Sequence, residues 1–223
     1  GGFLVTRRML EPGHARQGSR LITFGTFRRH DHNGTAGSPR PAQRTVLVLP
    51  EGYVWETQLL FEFAMETAPL VPDHRFILRC HPVLPCERIR GTLRDAPERF
   101  PNVEVSSAES LSEELMRSSV ILYRGSSSVL YAVLQGLKPV YLHQEGTPTI
   151  DPLFEVPAWR ESVTAPRQLR EVLARYASDS PERAQASWRA VAEYAEAYAR
   201  PVDQTSIDRF LEAVDLVGAR GIR

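Results

Sequence analysis

The sequence lacks the features that mark membrane-spanning, disulfide-stapled and nucleic-acid-binding proteins. None of its apolar runs approaches the roughly 20 residues that a membrane-spanning helix needs. It has only two cysteines, Cys80 and Cys86, too few for a disulfide framework, so a reducing cytoplasm is the expected location. The formal net charge is +0 at pH 7, which gives no general attraction for nucleic acid or for an anionic membrane.

Lysine and metal-binding motifs are also scarce. Lys138 is the only lysine among the 27 basic residues, which we attribute mainly to genome composition. No Asp-x-Asp pair occurs, and His30-Asp31-His32 has no third ligand at a suitable spacing, so we predict no metal site. No secretory signal is recognisable, and a chain that opens on Gly-Gly without Met is expected to be a piece of a longer protein.

What the chain does contain predicts three segments. Its 223 residues, with 42% hydrophobic and 24% charged, suit either one large globular domain or one domain with a helical appendage. Residues 1–44 are irregular, and residues 45–150 alternate strands with helices. Residues 151–223 are expected to form a helical extension packed on that core.

The first segment offers two candidate strands, Phe3–Val5 and Leu21–Phe24, followed by an exposed loop rich in Gly, Pro, Arg and His. The arginine-rich part of this loop, residues 28–44, contains Arg28, Arg29, His30 and His32. It would contact phosphates or, peripherally, an anionic surface; we prefer the alternative that the loop is simply solvated.

The middle segment predicts an α/β fold. Its apolar runs indicate five buried strands: Thr45–Leu49, Arg75–Cys80, Val103–Val105, Val120–Tyr123 and Val140–Leu142. Helices are predicted between and after them: Trp55–Ala68, Cys86–Leu93, Ser110–Arg117, Val129–Leu137, Pro166–Tyr176, Pro181–Ala199 and Thr205–Val217. Strands and helices that alternate in this way form an open parallel Rossmann-like sheet with helices on both faces. The stretch from Asp151 to Ser162 is predicted to be irregular, and Val163-Thr164, which follows it, is a candidate edge strand.

Four unusual turns follow the predicted strands. They are Pro50-Glu51-Gly52, His81-Pro82, Gly125-Ser126-Ser127-Ser128 and Gln144 to Thr147. Ligands of open parallel sheets bind at the carboxyl ends of the strands, where these turns lie. A glycine and three hydroxyl groups at a strand-to-helix turn suit a phosphate; capping of the following helix is the alternative.

Three motifs together resemble the carboxy-terminal half of GT-B glycosyltransferases: LPEG at 49–52, RCHP at 79–82 and RGSSSVLYAVLQGLKPVYL at 124–142. The likeness is closest to the sialyltransferases, polysialyltransferases and Kdo transferases of bacterial capsule and lipopolysaccharide synthesis. These carry an HP motif and a Ser/Thr-rich motif on consecutive strand-to-helix turns. The resemblance implies a CMP- or otherwise nucleotide-activated sugar donor, a glycan or glycolipid acceptor, and no cofactor.

The resemblance also implies roles for particular residues. His81 would contact the donor phosphate and stabilise the leaving nucleotide, while Gly125, Ser126, Ser127 and Ser128 would bind the same phosphate. Gly52 would lie where the backbone approaches the donor. Glu51 would accept hydrogen bonds from ribose or cytosine, or be a solvated turn carboxylate.

The sequence departs from the family pattern in two respects. Ala132 stands where many relatives carry a glutamate that holds ribose, so that contact would come from elsewhere, with Glu145 as the candidate. The half that usually carries the acceptor-side base is not evident. The chain would then be the donor-binding part of a metal-independent transferase, inactive alone, and cytoplasmic or peripheral at the inner face of the membrane.

Three other interpretations compete with a transferase half. A degenerate donor-binding domain could act as a scaffold in a polysaccharide assembly complex, which the missing ribose acid and base-bearing half favour. A nucleotide-sugar 2-epimerase shares the fold, but its phosphate turn is richer in glycine and is followed by an acid. A receiver domain needs paired acids after strand one, where this chain has only Glu51.

Overall fold

The computed structural model describes residues 38–39, 44–147, 151–156, 159–199 and 201–218, with side chains given as far as residue 212. The candidate strands Phe3–Val5 and Leu21–Phe24, and residues 28–37 and 40–43 of the basic loop, lie outside these ranges. The chain divides into two compact units, one of residues 36–192 and one of residues 1–35 with 193–223.

The larger unit is built on one parallel sheet. Within the described residues it has six strands: β1 (Thr45–Leu49), β2 (Arg75–Leu78), β3 (Val103–Val105), β4 (Val120–Tyr123), β5 (Lys138–Leu142) and β6 (Glu161–Val163). Their order across the sheet is β3-β2-β1-β4-β5-β6, and every pair is parallel. The chain therefore moves outward from β1 in one direction and then, from β4, in the other. Such a reversal leaves a crevice between the carboxyl ends of the two strands, here β1 and β4.

The described chain contains seven α-helices. They are α1 (Val54–Thr67), α2 (Cys86–Arg90), α3 (Leu111–Met116), α4 (Val129–Leu134), α5 (Pro166–Ser178), α6 (Pro181–Ala199) and α7 (Gln204–Gly218). Short 3-10 turns cover Ala68–Leu70 and Pro97–Arg99. The predicted capping of α3 is confirmed, because the N–H of Glu113 donates to the Ser110 hydroxyl at 3.2 Å.

Both faces of the sheet are buried, as the predicted fold class requires. Val46 and Val48 of β1 belong to a hydrophobic core that also contains residues of α1 and α5, such as Leu60 and Val172. Alternate strand residues point to opposite faces, and Leu47, with its neighbours in register on β2 and β4, is buried as well. The open Rossmann-like α/β fold is thus confirmed.

Several predicted element ends are corrected by the structure. The strand predicted to reach Cys80 ends at Leu78. The helix predicted to reach Leu137 ends at Leu134, because Gly136 adopts a φ of 83°, the left-handed conformation that stops a helix. The predicted irregular stretch ends earlier than expected, since β6 begins at Glu161 and extends the sheet past residue 150. The division of the chain at residues 44 and 150 stays a prediction.

The two cysteines form a disulfide, which the sequence analysis did not expect. Cys80 follows β2 and Cys86 opens α2, and the turn between them brings their Cα atoms to 5.6 Å, within the range that a disulfide needs. A disulfide framework was excluded by the sequence analysis, which did not consider this single bond. The cytoplasmic location that rested on that exclusion stays a prediction. In the described part of the chain, none of the helices is long and apolar enough to cross a membrane.

Candidate anion-binding site

The strand order brings three of the four predicted turns side by side. β2, β1 and β4 are neighbours in the sheet, so the turns after them share its carboxyl edge. These turns carry His81, Glu51 with Gly52, and Gly125 to Ser128. Two contacts link the β1 turn to the turns on either side.

The first contact joins the β1 turn to the histidine turn. A Cβ atom on Gly52 would lie 2.6 Å from Cγ2 of Val83 and 3.2 Å from Nδ1 of His81. Such distances are below ordinary van der Waals contact, so the backbone at Gly52 packs directly against these two side chains. The close approach explains why glycine suits this position.

His81 is held in one orientation by its own turn. Its carbonyl accepts a hydrogen bond from the N–H of Leu84 at 2.8 Å, and its ring Nδ1 accepts one from the N–H of Val83 at 3.3 Å. Because Nδ1 accepts, the proton of the neutral ring lies on Nε2, which is then the ring's donor. The Cys80–Cys86 disulfide closes the segment that contains His81. The ring is therefore positioned by covalent and hydrogen-bonded constraints.

The second contact is made by Glu56, which the sequence analysis did not select. Its carboxyl group is buried, with a residue exposure of 0%. One oxygen accepts from the N–H of Glu51 at 3.2 Å, and the other accepts from the N–H of Gly125 at 3.4 Å. A carboxylate in the first turn of a helix usually indicates local capping, so only the strand order reveals this link between β1 and β4.

Burial sets the protonation of Glu56. The pKa of Glu56 is raised from 4.5 to about 7, mainly because the group is removed from water. The hydrogen bond from the N–H of Gly125 lowers the pKa and the negative charge of Glu51 raises it, both with smaller effects than burial. The positive charge of Arg124 also lowers the pKa, with the smallest effect of these. The crevice between β1 and β4 thus contains a carboxyl group that titrates near neutral pH.

The serine turn is only partly as predicted. Ser128 precedes α4 but makes no side-chain capping bond, and α4 has only six residues, which corrects the expectation of a long serine-capped helix. Ser126 is 6% exposed, while Ser127 and Ser128 are half-buried. In the described chain none of the three hydroxyl groups bonds to another protein group. They remain candidates for binding a ligand.

Arg124 is the second residue that the sequence analysis missed. It is 1% exposed and lies between β4 and Gly125. Its guanidinium donates to the carbonyl of Leu142 at 3.1 Å and to the hydroxyl of Thr147, and lies 5.6 Å from the ring centre of Trp55. Its Nε has no hydrogen-bond partner among the described residues. A buried cation therefore underlies the serine turn and ties it to the turn after β5.

Glu145 is exposed and, in the described chain, has no hydrogen bond or ion pair. Its turn is shaped by Gly146 at a φ of 73° and is joined to β4 through Thr147 and Arg124. No group of three or more potential metal ligands occurs among the described residues, and His30-Asp31-His32 lies outside them. The binding roles of all the predicted site residues stay predictions.

The packing at Gly52 gives a first prediction. Gly52→Ala should displace Val83 and His81 and weaken ligand binding at this edge at least several-fold. It should cost only about 1 kcal/mol of stability, since Val83 is exposed and can move. Calorimetric titration with nucleotides and urea unfolding measure the two effects.

The control for this prediction is a rescue. Val83→Ala removes the atom that the new Cβ meets first, so the double variant should regain most of the lost binding. A Gly52→Ala protein that binds like the wild type would contradict the close packing of His81 on this turn.

The comparisons with known proteins concern the fold. The sequence matches no known family model and no curated protein. Among solved structures, the glycotransferase of kitacinnamycin aligns with 86% of this chain and 49% of its own, at 20% identity and a TM-score of 0.55. The glycosyltransferase SnogD from Streptomyces nogalater aligns with 92% of this chain and 53% of its own, at 14% identity and a TM-score of 0.55.

A third similar structure is the pneumococcal O-GlcNAc transferase GtfA in complex with UDP and GlcNAc. It aligns with 96% of this chain and 43% of its own, at 11% identity and a TM-score of 0.50. The chain spans about half the length of the structures it matches. The fold is that of one half of a GT-B glycosyltransferase, as the sequence predicted.

Proposed function

We propose that the chain is the donor-binding half of a metal-independent GT-B glycosyltransferase that uses a nucleotide-activated sugar. The observation that carries this proposal is the convergence of three turns at the crevice between β1 and β4. Gly52 packs on His81, and Glu56 ties Glu51 to Gly125. The family-level motifs of the sequence are therefore spatial neighbours.

The spacing of the turns supports a nucleotide as the ligand. β2 and β4 flank β1, so their ends are about 10 Å apart, twice the spacing of neighbouring strands. His81 and the serine turn can therefore meet different polar groups of one extended ligand, such as a phosphate and the ribose or second phosphate joined to it. Arg124 supplies a buried positive charge below the serine turn.

The proposed mechanism divides the chemistry between two halves. A hydroxyl oxygen of the acceptor glycan, deprotonated by a base on the other half, attacks the anomeric carbon of the donor. The bond from that carbon to the phosphate oxygen breaks, and the nucleotide leaves as an anion. His81 and the groups of the serine turn stabilise the charge that develops on the departing phosphate. In this proposal, no cofactor or metal takes part.

The same proposal has three finer parts. The donor is activated with CMP or another nucleotide, the enzyme acts in capsule or lipopolysaccharide synthesis, and it attaches at the inner face of the membrane. They rest on the motif resemblance, and for the membrane on the basic loop of residues 28–44. A non-catalytic scaffold module is the second candidate function. One observation favours it: Ala132, at the place of the family's ribose-binding glutamate, is fully buried.

Ligand binding tests the proposal. We expect one of CMP, CDP, UDP and GDP to raise the melting temperature of the wild type by several degrees, and His81→Ala to lose most of that shift. His74→Ala is the matched control, because His74 lies just before the other end of the same strand, β2. It should respond to nucleotide like the wild type.

The outcomes separate the two candidate functions. If none of the four nucleotides stabilises the wild type or gives heat in a calorimetric titration, the donor-binding proposal is wrong and the scaffold module is favoured. Equal loss of the response in both histidine variants would place the nucleotide elsewhere than at His81.

A further inference from the structure

Glu56 lies where a ligand of this fold would bind, yet its carboxyl group is fully buried. It is the third residue of α1, where a carboxylate ordinarily accepts hydrogen bonds from the free N–H groups at the start of its own helix. Here one of its bonds reaches Gly125, which is 69 residues away in the sequence. The side chain thus joins two turns to which the proposed function assigns ligand contacts.

The charges around Glu56 come from each element packed at this point. Glu51, from the β1 turn, is a like charge, and Arg124, from the end of β4, is an opposite charge. His81, from the β2 turn, packs on Gly52 of the same edge. Within the described chain, no cation forms an ion pair with Glu56, because Arg124 is engaged by the carbonyl of Leu142 and the hydroxyl of Thr147. The negative charge of Glu56 is therefore only weakly compensated.

We propose that Glu56 is a positioning residue of this site, which holds the β1 and β4 turns together and takes up a proton when a phosphate-bearing ligand binds there. The inference rests on the proposed function, since it assumes that the ligand's charge arrives at these turns. A buried carboxylate and a phosphate repel each other strongly where little water screens them. Protonation of Glu56 removes that repulsion.

The energetics make this proton uptake feasible at physiological pH. The pKa of Glu56 is raised to about 7 by burial, so near pH 7 protonation requires almost no free energy. Added negative charge from the ligand raises the pKa further. If the ligand raises the pKa by about one unit, roughly half a proton is bound per ligand at pH 7.5, and affinity falls about sixfold between pH 6.5 and 8.5.

Calorimetric titration measures the uptake directly. CDP and UDP are titrated into the wild type at pH 7.5 in two buffers with different ionisation enthalpies, and the difference in heat gives the protons bound. The second ionisation of the ligand phosphate, with a pKa of about 6, is nearly complete at this pH. We expect roughly half a proton for the ligand that binds; no uptake would overturn the inference.

A pair of variants assigns the proton to Glu56. Glu56→Gln keeps the shape and one acceptor oxygen but cannot titrate, so its uptake and pH dependence should be much smaller. Glu171→Gln removes an exposed carboxylate from α5 and should behave like the wild type. All groups other than residues 56 and 171 are the same in the three proteins, so the difference between wild type and Glu56→Gln is the quantity interpreted.

The results distinguish the inference from the function on which it rests. If a nucleotide binds wild type and Glu56→Gln with the same proton uptake, the inference is overturned while donor binding stands. If neither CDP nor UDP nor the other two nucleotides binds the wild type, both are overturned. If Glu56→Gln does not fold, the carboxyl carbon-13 shift of Glu56 in the wild type decides, and a titration midpoint that the ligand leaves unchanged contradicts the inference.

Discussion

Replacement of Asp151 by Ala is expected to lower the free energy of unfolding of the larger unit by about 3–5 kcal/mol. Asp151 is 4% exposed and accepts hydrogen bonds from the Tyr123 hydroxyl at 2.6 Å and the N–H of Leu153 at 2.9 Å. It also pairs with Arg160, whose side chain is 17% exposed. The variant would remove the Asp151 carboxylate from the largely buried charge of Arg160 and from the hydroxyl of Tyr123.

The effect should extend to the candidate site, because Tyr123 is the last residue of β4 and directly precedes Arg124. Urea unfolding followed by circular dichroism measures the loss of stability. Asp95→Ala is the matched control: Asp95 also pairs with an arginine, Arg99, but both side chains are solvent-exposed, so the cost should be below about 1 kcal/mol.

A second variant separates charge from hydrogen bonding. Asp151→Asn keeps an oxygen that can accept from Tyr123 and Leu153, but leaves the charge of Arg160 without compensation. We expect a loss between that of Asp151→Ala and that of Asp95→Ala. Equal, small losses for Asp151→Ala and Asp95→Ala would contradict the buried network.

The sheet was predictable because each central strand is recognisable from its own short run of residues. Runs such as Val46 to Leu49 and Val120 to Tyr123 are apolar at every position. This pattern is typical of a strand that is buried on both faces. β6 shows where this signal ends, since Glu161–Val163 has one buried residue. β5 was predicted to start at Val140 because Pro139 was taken to end the preceding helix before this apolar run. It starts at Lys138 because that residue already pairs in register with Val120.

The candidate site was predictable at the level of turns but not of buried charges. The turns at Gly52, His81 and Ser126 follow recognisable strand ends, so their common edge follows from parallel pairing. Glu56 resembles a helix-capping residue in the sequence, and Arg124 resembles a solvated arginine after a strand. Their place in the site depends on β1 and β4 being neighbours in the sheet. The order of elements along the chain does not predict that pairing. The disulfide of Cys80 depends likewise on the path of the turn.

Glu56→Gln is expected to raise the free energy of unfolding at pH 8 by about 2 kcal/mol and to change it little at pH 5. The pKa of this carboxyl rises from its ordinary value of 4.5 to about 7 on folding. The folded state therefore holds the proton more tightly than the unfolded state, and ionisation penalises folding. The penalty is absent below pH 4.5, grows between pH 4.5 and 7, and reaches about 3 kcal/mol above pH 7.

Glutamine removes this penalty but gives up one of the two backbone hydrogen bonds, which costs about 1 kcal/mol. The net gain should therefore grow between pH 4.5 and 7, where the unfolded state is ionised while the folded state keeps its proton, and level off above pH 7. Urea unfolding at pH 5, 6.5 and 8 measures it, with Glu171→Gln as the exposed control that should follow the wild type throughout. A constant difference between Glu56→Gln and wild type at all three pH values would show that Glu56 is not a buried group that ionises near neutrality, because solvent-exposed carboxylates complete their titration well below pH 6.5.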